Sequence, residues 1–338
     1  PYDFYTREYE KGLQLYSSGV LIMDKCADLL PDCFRFVKGV VDSPDFSLNI
    51  SREILQHDRQ LKVIATALEK KIKSELLKMQ KDDKEKYEKF WHAFGTQLKY
   101  GVVADYGAKK DLLQDLLLFW SSKEKGYTTL AAYQDRMPED QKFVYYACGE
   151  DPEKIAKLPQ VERILDKGYE ILYCTEDVDD FVMKALVELN GKQFKSVADE
   201  DALPQTEEEK KAAQEKAEAG KPVLEAVKEA LGDQVKEVRI SSILKSGACC
   251  LTADGPVSLE MEKYMNKVEG GQHMKADRVL ELNADSAPFA ALKKAVDAGD
   301  KDTVSKYSAL LYDQALLLAG LPLEDPAGFA QMVSSLMV

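Results

Sequence analysis

The sequence predicts a multi-domain protein of the α/β and α+β classes, and three observations support this prediction. Apolar residues recur at three- and four-residue steps through residues 52–101, which indicates consecutive helices. Strand and helix patterns alternate through residues 141–197, which indicates a parallel βαβαβ arrangement. Residues 222–338 mix short strand-like runs with amphipathic helices. The length of 338 residues suits two or three domains.

Residues 1–130 are predicted to form one αβ domain that contains a coil of three helices. Residues 12–24 read as strand, turn and strand, because a Ser-Ser-Gly turn separates two apolar pieces. The helices are expected over residues 52–80, then as far as residue 101, and over residues 109–120. In the second of them Phe90, Trp91 and Phe94 could form an aromatic binding face, but their spacing favours a place in the core.

Residues 131–205 are predicted to form a small βαβαβ subdomain. Its strands are expected at residues 141–148, 170–174 and 193–197, with helices at residues 151–167 and 178–189. Such units often bind nucleotides at the carboxyl ends of their strands. The turn at residues 149–152, Gly-Glu-Asp-Pro, has one glycine and two carboxylates. It does not resemble a phosphate-binding loop, so the pattern disfavours a nucleotide enzyme built on this unit.

The remaining residues are predicted to form a charged segment and a C-terminal α+β domain. Residues 206–221 are rich in Glu, Lys and Ala, and they read as a linker or a solvated helix at a domain boundary. Residues 222–338 form the last domain. A short helix is expected over residues 222–231, and a mainly antiparallel sheet from strands at residues 235–240, 243–244, 248–252 and 278–282.

A helical pattern over residues 258–268 places apolar side chains along one face. These are Val257, Met261, Tyr264, Met265 and Val268, at steps of three and four. Two methionines and a tyrosine make an adaptable surface that could bind varied partners. The alternative is that the face belongs to the core. The glycines at 270–271 favour exposure.

The chain ends in two apolar helices that form a predicted hairpin. The side chains expected at its contact surface are Tyr307, Leu310, Leu311, Leu317, Leu318, Phe329, Met332, Val333 and Leu336. Two such hairpins related by a two-fold axis would make a four-helix bundle. Docking of the hairpin onto the sheet of its own chain is the alternative, and the pattern leaves both open.

Composition excludes several classes of protein. A formal charge of −13 argues against a general nucleic-acid surface. Six cysteines without a Cys-x-x-Cys pair read as buried thiols in a reducing cytosol, and three scattered histidines make no zinc motif. Neither a membrane-length apolar run nor a signal peptide is present. We therefore expect a cytoplasmic protein with no metal and no nucleic-acid or membrane partner. Because the sequence opens on Pro1, we expect a piece of a longer protein.

The stretch around Arg52 looks like a helix start with an added cation. Ser51 suits the N-cap, whereas an arginine in the first turn opposes the helix dipole. A helix N-terminus with a guanidinium is a good receptor for a phosphate or carboxylate. An ordinary ion pair with a neighbouring acid, such as Glu53, is the alternative, and local chemistry favours it.

Several motifs taken together resemble the ninety-kilodalton heat-shock protein chaperones, in the bacterial HtpG branch. The matching segments run in order over nearly the whole chain: VLIMD (20–24), FVKGVVDS (36–43), LNISREILQ (48–56), KFW (89–91), LFWSS (118–122), QKFVYY (141–146), GK (191–192), LYDQALLL (311–318) and LEDP (323–326). The resemblance implies a truncated middle domain followed by a C-terminal dimerisation domain. It also implies a stress-response chaperone that acts on unfolded or partly folded client proteins as a homodimer.

The resemblance also assigns roles to single residues. Arg52 would reach the γ-phosphate of ATP, with Asn49 and Gln56 beside it. Clients would be contacted by the helical face of Val257, Met261, Tyr264 and Met265, and by Phe181. ATP and Mg²⁺ would bind an N-terminal domain that has no counterpart in this sequence. This chain alone is therefore expected to carry no cofactor and not to be an enzyme, whereas the resemblance implies that the full-length protein would be a slow ATPase. An inert dimeric scaffold is the alternative function.

Overall fold

The computed structural model describes residues 10–44, 46, 59–205, 207–268 and 274–337. The chain divides into two compact units: residues 1–119, 127–135 and 181–186 make the first, and residues 120–126, 136–180 and 187–338 make the second. The described residues contain three β-sheets together with α- and 3-10 helices. This confirms the prediction of a mixed α/β protein with more than one domain.

The first unit begins with a small three-stranded sheet. In chain order its elements are β1 (Leu13–Ser17), β2 (Val20–Cys26), β3 (Val40–Asp42), α1 (Arg59–Asp82), α2 (Lys84–Val103), α3 (Lys110–Leu113), β4 (Leu118–Ser121, which ends in the second unit), β5 (Tyr127–Thr129) and α4 (Leu130–Asp135). β1 and β2 pair antiparallel, and β3 lies parallel to β1. Ser18 and Gly19 turn the hairpin with φ of 50° and 80°. Two positive φ values match the twist of the flanking strands, so the predicted strand, turn and strand are confirmed.

The two long helices α1 and α2 form as their periodicity predicts. They are separated at Asp83, whose carboxylate accepts a hydrogen bond of 3.0 Å from the Lys86 N–H and caps α2. Trp91 is buried, whereas Phe90 and Phe94 are half-buried. The rings of both phenylalanines pack on Phe36, at centroid distances of 5.3 and 4.8 Å. Trp91 therefore lies in the core, as the spacing favours, whereas Phe90 and Phe94 are only partly covered.

The third predicted helix, over residues 109–120, is wrong. Only one α-helical turn forms, as α3, and a 3-10 turn and then the strand β4 follow it. Leu118 and Phe119 are both buried although they point to opposite faces of a strand. A short apolar run that is buried on both faces cannot be told from a buried helix by its period, and this caused the error.

The second unit contains the predicted βαβαβ arrangement. Its elements are α5 (Pro152–Ile155) and α6 (Pro159–Asp166) between β6 (Val144–Cys148) and β7 (Ile171–Cys174), then α7 (Asp179–Leu186, of which residues 181–186 belong to the first unit), β8 (Glu188–Leu189) and β9 (Lys192–Ser196). β6 lies parallel to both β7 and β9. Antiparallel pairing adds the end of β4 beside β7 and adds β8 beside β9. The single helix predicted over residues 151–167 is in fact two, because Pro159 starts a new one.

The charged segment and the short helix predicted after it form one helix, α8 (Glu207–Leu231), which contains Pro222. A proline inside a helix costs roughly 3 kcal/mol, which opposes a continuous helix through Pro222. In the structure Val223, Val227 and Leu231 follow it and are buried in the C-terminal core. Tertiary packing of this kind supplies most helix stability in proteins and offsets the proline.

The C-terminal part of the second unit packs helices against a three-stranded sheet. Its elements are β10 (Glu237–Ile240), β11 (Cys249–Ala253), α9 (Leu259–Lys267), β12 (Arg278–Leu282), α10 (Ala287–Asp297), α11 (Lys301–Leu318) and α12 (Pro326–Ser335). β12 is central, parallel to β10 and antiparallel to β11. The prediction of a mainly antiparallel sheet is thus wrong for β10. Residues 243–244 lie outside any strand, and α10 was not predicted.

Candidate functional site

The residues assigned to the ATP γ-phosphate contact lie outside the described part of the chain. They are Arg52, Asn49 and Gln56. Their assignment therefore stays a prediction, and the described candidate site is the helix α9 with the residues that hold it.

Ser258 is the N-cap of helix α9, which agrees with the helix predicted from residue 258. The Ser258 Oγ accepts a hydrogen bond of 3.2 Å from the Met261 N–H, which satisfies one of the free amides of the first turn. The same hydroxyl donates to Asp180 Oδ2 at 2.7 Å. The second carboxylate oxygen, Asp180 Oδ1, accepts a hydrogen bond of 3.0 Å from the Tyr146 hydroxyl. The N-terminus of α9 is thus fixed to a buried carboxylate of the βαβαβ part of the unit.

The far end of α9 is held by an ion pair with Asp177, which lies just before α7. Lys267 Nζ donates to both carboxylate oxygens of Asp177, at 2.8 and 3.0 Å. Both side chains are largely exposed, so this pair alone contributes about 0–1 kcal/mol. Residues 177–180 consequently contact both ends of the helix.

The buried side chain of α9 is a carboxylate rather than an apolar group. Glu262 is 3% exposed. Its Oε1 accepts a hydrogen bond of 2.5 Å from Arg278 Nη2, and its Oε2 accepts one of 2.9 Å from the Ala276 N–H. Arg278 Nη1 donates to the Tyr312 hydroxyl at 2.7 Å, and that hydroxyl donates to the Gln234 carbonyl at 3.3 Å. The helix is therefore attached to β12 and α11 through a connected polar network.

The apolar residues predicted to line α9 are only partly covered. Val257, Met261, Tyr264 and Met265 are all half-buried, and Val268 is 42% exposed. Since Glu262 provides the buried contact of the helix, the methionines and the tyrosine keep part of their surface accessible. An adaptable apolar surface with partial exposure can bind irregular apolar segments of another protein.

Charged groups surround the first turn of α9. Burial raises the pKa of the Glu260 carboxyl; Lys263 lowers it, and Asp180 and Asp177 raise it further. Lys263 Nζ lies 2.5 Å from Glu260 Oε1 and donates to the Ala319 carbonyl at 3.1 Å. The helix is thus also tied to the end of α11.

Phe181 is half-buried on α7 and belongs to the first unit. It is therefore described apart from α9.

The residues predicted for dimerisation divide into two groups. Leu310 and Leu311 are buried within the chain, and Leu311 lies in the core formed with β11, β12 and α8. Tyr307 is half-buried against the same core. Leu317 and Leu318 of α11 and Leu336 beyond α12 are exposed. On α12, Phe329, Met332 and Val333 are half-buried.

Sequence reasoning missed the polar residues that hold α9. Glu262, Arg278 and Asp180 are charged, and charged residues are rarely buried unless they are paired. One signal was present, because Arg278 and Glu281 stand in the apolar strand β12. Charges inside such a run indicate buried partners. Glu281 indeed accepts hydrogen bonds from Arg239, Ser241 and Thr252.

Two further observations concern ligands and membranes. Among the described residues, histidine, cysteine and acidic side chains form no group of three that could hold a metal ion. The helices of the described chain include none with the length and apolar character needed to span a membrane.

Comparison with known proteins extends over the full chain. A family profile described as Hsp90 protein matches residues 1–338. The chaperone protein HtpG of Bacillus subtilis (strain 168) is 55% identical over 338 residues, and that of Clostridium acetobutylicum is 55% identical over 337 residues. HtpG of Clostridium botulinum (strain Langeland) is 54% identical over 337 residues. In each case the match covers 100% of this chain and 54% of the relative.

The chain belongs to the Hsp90 protein family, which confirms the resemblance noted from its motifs. It spans about half the length of the curated relatives that it matches.

Proposed function

We propose that this chain binds partly folded client proteins through the accessible face of α9, as part of an HtpG-type chaperone in the cytoplasm. Membership of the Hsp90 family and the chaperone names of the relatives support the general class. The matched segment makes up 54% of the relatives, and we further propose that a protein of their length carries out an ATP-driven cycle. In this proposal the chain forms a middle domain and a C-terminal domain, and it does not itself bind the nucleotide.

The observation that carries the proposal is the inverted burial of α9. Its charged Glu262 is buried, whereas Met261, Tyr264 and Met265 are half-buried. A helix that served only to fill the core would bury its methionines, because each fully buried apolar side chain stabilises the fold by about 1.5–3 kcal/mol. The arrangement instead leaves flexible thioethers available to a partner whose apolar segments vary in shape.

Paired charge substitution tests this function. Met261→Glu combined with Met265→Glu should lower the affinity for a reduced, partly unfolded protein at least tenfold in a fluorescence anisotropy titration. The melting temperature should change by less than about 2 °C, because neither side chain is fully buried. Val63→Glu on α1, where the native side chain is 56% exposed, is a matched control that should leave both quantities unchanged. Unaltered client affinity in the paired variant, or a large loss of stability, would refute the assignment.

We further propose that the accessible apolar residues of the last two helices pair two copies of the chain. Leu317 and Leu318 are 51% and 37% exposed, and Leu336 is 53% exposed. A homodimer would cover them and would explain why so many large apolar side chains lie near one end of the sequence. An inert dimeric scaffold is the alternative function: it predicts the same dimer but no client affinity, so the α9 substitutions separate the two.

In the full-length chaperone we propose that Arg52 contacts the γ-phosphate of ATP, with Asn49 and Gln56 beside it. A guanidinium at this position would stabilise charge that develops on a transferring phosphoryl group. Arg52→Ala in the full-length protein should lower ATP turnover while the dimer mass and the melting temperature stay unchanged. Normal turnover in that variant would refute the role.

A further inference from the structure

Two cysteines face each other at the carboxyl ends of neighbouring strands. Cys148 ends β6 and Cys174 ends β7, and the two are direct partners in the parallel register. Neither cysteine forms a disulfide, and the side chain of Cys174 raises the pKa of the neighbouring Cys148 thiol. Directly facing residues of a sheet point to the same face. Since side chains alternate along a strand, the two cysteines share their face of the sheet with Tyr146. The Tyr146 hydroxyl donates a hydrogen bond to Asp180.

The chain that leaves Cys174 forms a short loop and the first turn of α7, and both of these contact α9. Three residues after Cys174 comes Asp177, which pairs with Lys267 at the end of the helix. Asp180 follows three residues later and accepts a hydrogen bond from the Ser258 hydroxyl at the beginning of α9. The carbonyl of Cys174 also accepts a hydrogen bond of 3.1 Å from the Gly149 N–H, so the two strand ends stay paired up to the cysteines. A displacement of Cys174 would therefore reach two of the attachments of α9, whereas the contacts of Glu262 and Lys263 lie elsewhere.

We propose that Cys148 and Cys174 form an oxidisable thiol pair, which closes to a disulfide under a peroxide and thereby loosens the attachment of α9. The first half of this proposal stands on the geometry of the two strands. The second half, that loosening of α9 weakens client binding, rests on the proposed function.

The separation of the strands allows the bond but requires a shift. Neighbouring strands lie about 4.8 Å apart. Disulfides accept Cα separations of about 4.4–6.8 Å, but their Cβ atoms lie about 3.8 Å apart on average. Directly facing cysteines must therefore approach by about 1 Å when the bond forms. The loop after Cys174 has to follow this movement, and hydrogen bonds such as the one between Ser258 and Asp180 weaken steeply over such a distance.

The oxidation is a balanced two-step reaction. The sulfur of Cys148, the half-buried member of the pair, attacks one oxygen of hydrogen peroxide and breaks the O–O bond. The Cys148 sulfur becomes a sulfenic acid, and the released hydroxide leaves as water with the thiol proton. The sulfur of Cys174 then displaces the hydroxyl from the Cys148 sulfur, and its own proton leaves with that hydroxyl as a second water. Two thiols and one peroxide give one disulfide and two waters.

The surroundings make this reaction slow at neutral pH and faster in base. The neighbouring Cys174 thiol, burial and the nearby carboxylates Glu260 and Asp180 raise the pKa of Cys148. Tyr146 shares this face of the sheet, and burial, Asp180 and Cys148 raise the pKa of its hydroxyl. Below the pKa the thiolate fraction rises tenfold per pH unit, so the oxidation rate should rise about tenfold between pH 7.5 and 8.5.

Peptide mapping tests the pair itself. The reduced chain is exposed to hydrogen peroxide at pH 7.5 and 8.5, alkylated, digested and analysed by mass spectrometry. We expect a linked species that joins the Cys148 and Cys174 peptides, formed about tenfold faster at the higher pH and absent from Cys148→Ser. The thiol of Cys249, which is buried and donates to the Leu311 carbonyl at 3.2 Å, serves as an internal reference and should stay alkylatable after denaturation. Alkylation of both Cys148 and Cys174 after prolonged peroxide treatment overturns the proposal.

Client titration tests the coupling. We expect the oxidised chain to bind a partly unfolded protein at least fivefold more weakly than the reduced chain, and we expect dithiothreitol to restore the affinity. Cys148→Ser should bind equally well before and after peroxide. A linked pair with unaltered client affinity overturns the coupling. If the reduced chain binds no client, the proposed function fails instead, and the peptide map still decides whether the thiol pair exists.

Discussion

The Arg278 guanidinium donates a hydrogen bond of 2.5 Å to the Glu262 carboxylate, and both side chains are buried. Removing two charges from water costs several kcal/mol per ion, so such a pair is stable only when further hydrogen bonds satisfy its remaining atoms. The Ala276 N–H and the Tyr312 hydroxyl provide two such bonds, whereas Arg278 Nε is buried without a hydrogen-bond partner among the described residues. Helix α9 is therefore positioned by a polar contact, and its methionines are only half-buried.

Breaking this pair from one side should be strongly destabilising. Arg278→Met leaves the Glu262 carboxylate buried without its cation, and we expect the free energy of unfolding to fall by about 3–5 kcal/mol. Urea denaturation followed by circular dichroism measures the change. The double variant with Glu262→Met and Arg278→Met removes both charges and should recover most of the loss. Arg278→Met with the stability of the parent chain would contradict the importance of the pair.

The N-cap of α9 should control the local stability of the helix. Ser258→Ala removes the acceptor for the Met261 N–H and the donor to Asp180, so we expect a local loss of about 0.5–2 kcal/mol. Hydrogen exchange of residues 259–267 should accelerate accordingly. Ser286→Ala is the matched control, because Ser286 caps α10 through the Phe289 N–H. If hydrogen exchange in α9 is equally fast in Ser258→Ala and in the parent chain, the N-cap does not contribute to the local stability of the helix.

Elements with a clear period were predictable from the sequence. The strand pair β1 and β2, the helices α1 and α2 and the parallel strands β6, β7 and β9 all follow the apolar patterns expected for them. Elements that depend on distant contacts were not predictable. β4 reads as helix because it is buried on both faces, and α8 continues through Pro222 because its second half packs into a core made by residues far along the chain.

The candidate site also has a part that was predictable from the sequence and a part that was not. The spacing of Met261, Tyr264 and Met265 predicts one helical face, and the half-buried state of these residues agrees with an accessible surface. The opposite contact of the helix could not be predicted, because the partner of Glu262 is Arg278, on a strand across a glycine-containing segment. A residue's partner in space is set by packing rather than by local pattern. The role of Arg52 came from motif resemblance alone.

Charges introduced at the exposed end of α11 should separate the proposed dimer. Leu317→Asp combined with Leu318→Asp would bury carboxylates that repel each other where two copies meet. The folding stability of the isolated chain should change little, because both leucines are exposed in it. Light scattering should give about twice 37.9 kDa for the parent chain and about 37.9 kDa for the variant at micromolar concentration. Leu165→Asp, at a site that is also 37% exposed, should remain dimeric. A parent chain that is monomeric, or a variant that stays dimeric, rules out this interface.

The pH dependence of stability should carry a contribution from Glu260. Burial, together with Asp180 and Asp177, raises the pKa of its carboxyl above the ordinary value of 4.5, although Lys263 opposes them. The folded chain therefore binds a proton that the unfolded chain releases, so this contribution to the free energy of unfolding falls as the pH rises through the interval from 4.5 to the raised pKa. Glu260→Gln mimics the protonated form, and it should be more stable than the parent chain at pH 7 and equally stable near pH 4. Thermal unfolding at both pH values measures the difference.

Glu75→Gln is a control with the opposite sign, because the Lys71 side chain lowers the pKa of that exposed carboxyl. A Glu260→Gln chain that is less stable than the parent at pH 7 would mean that the ion pair with Lys263 outweighs the burial of the charge.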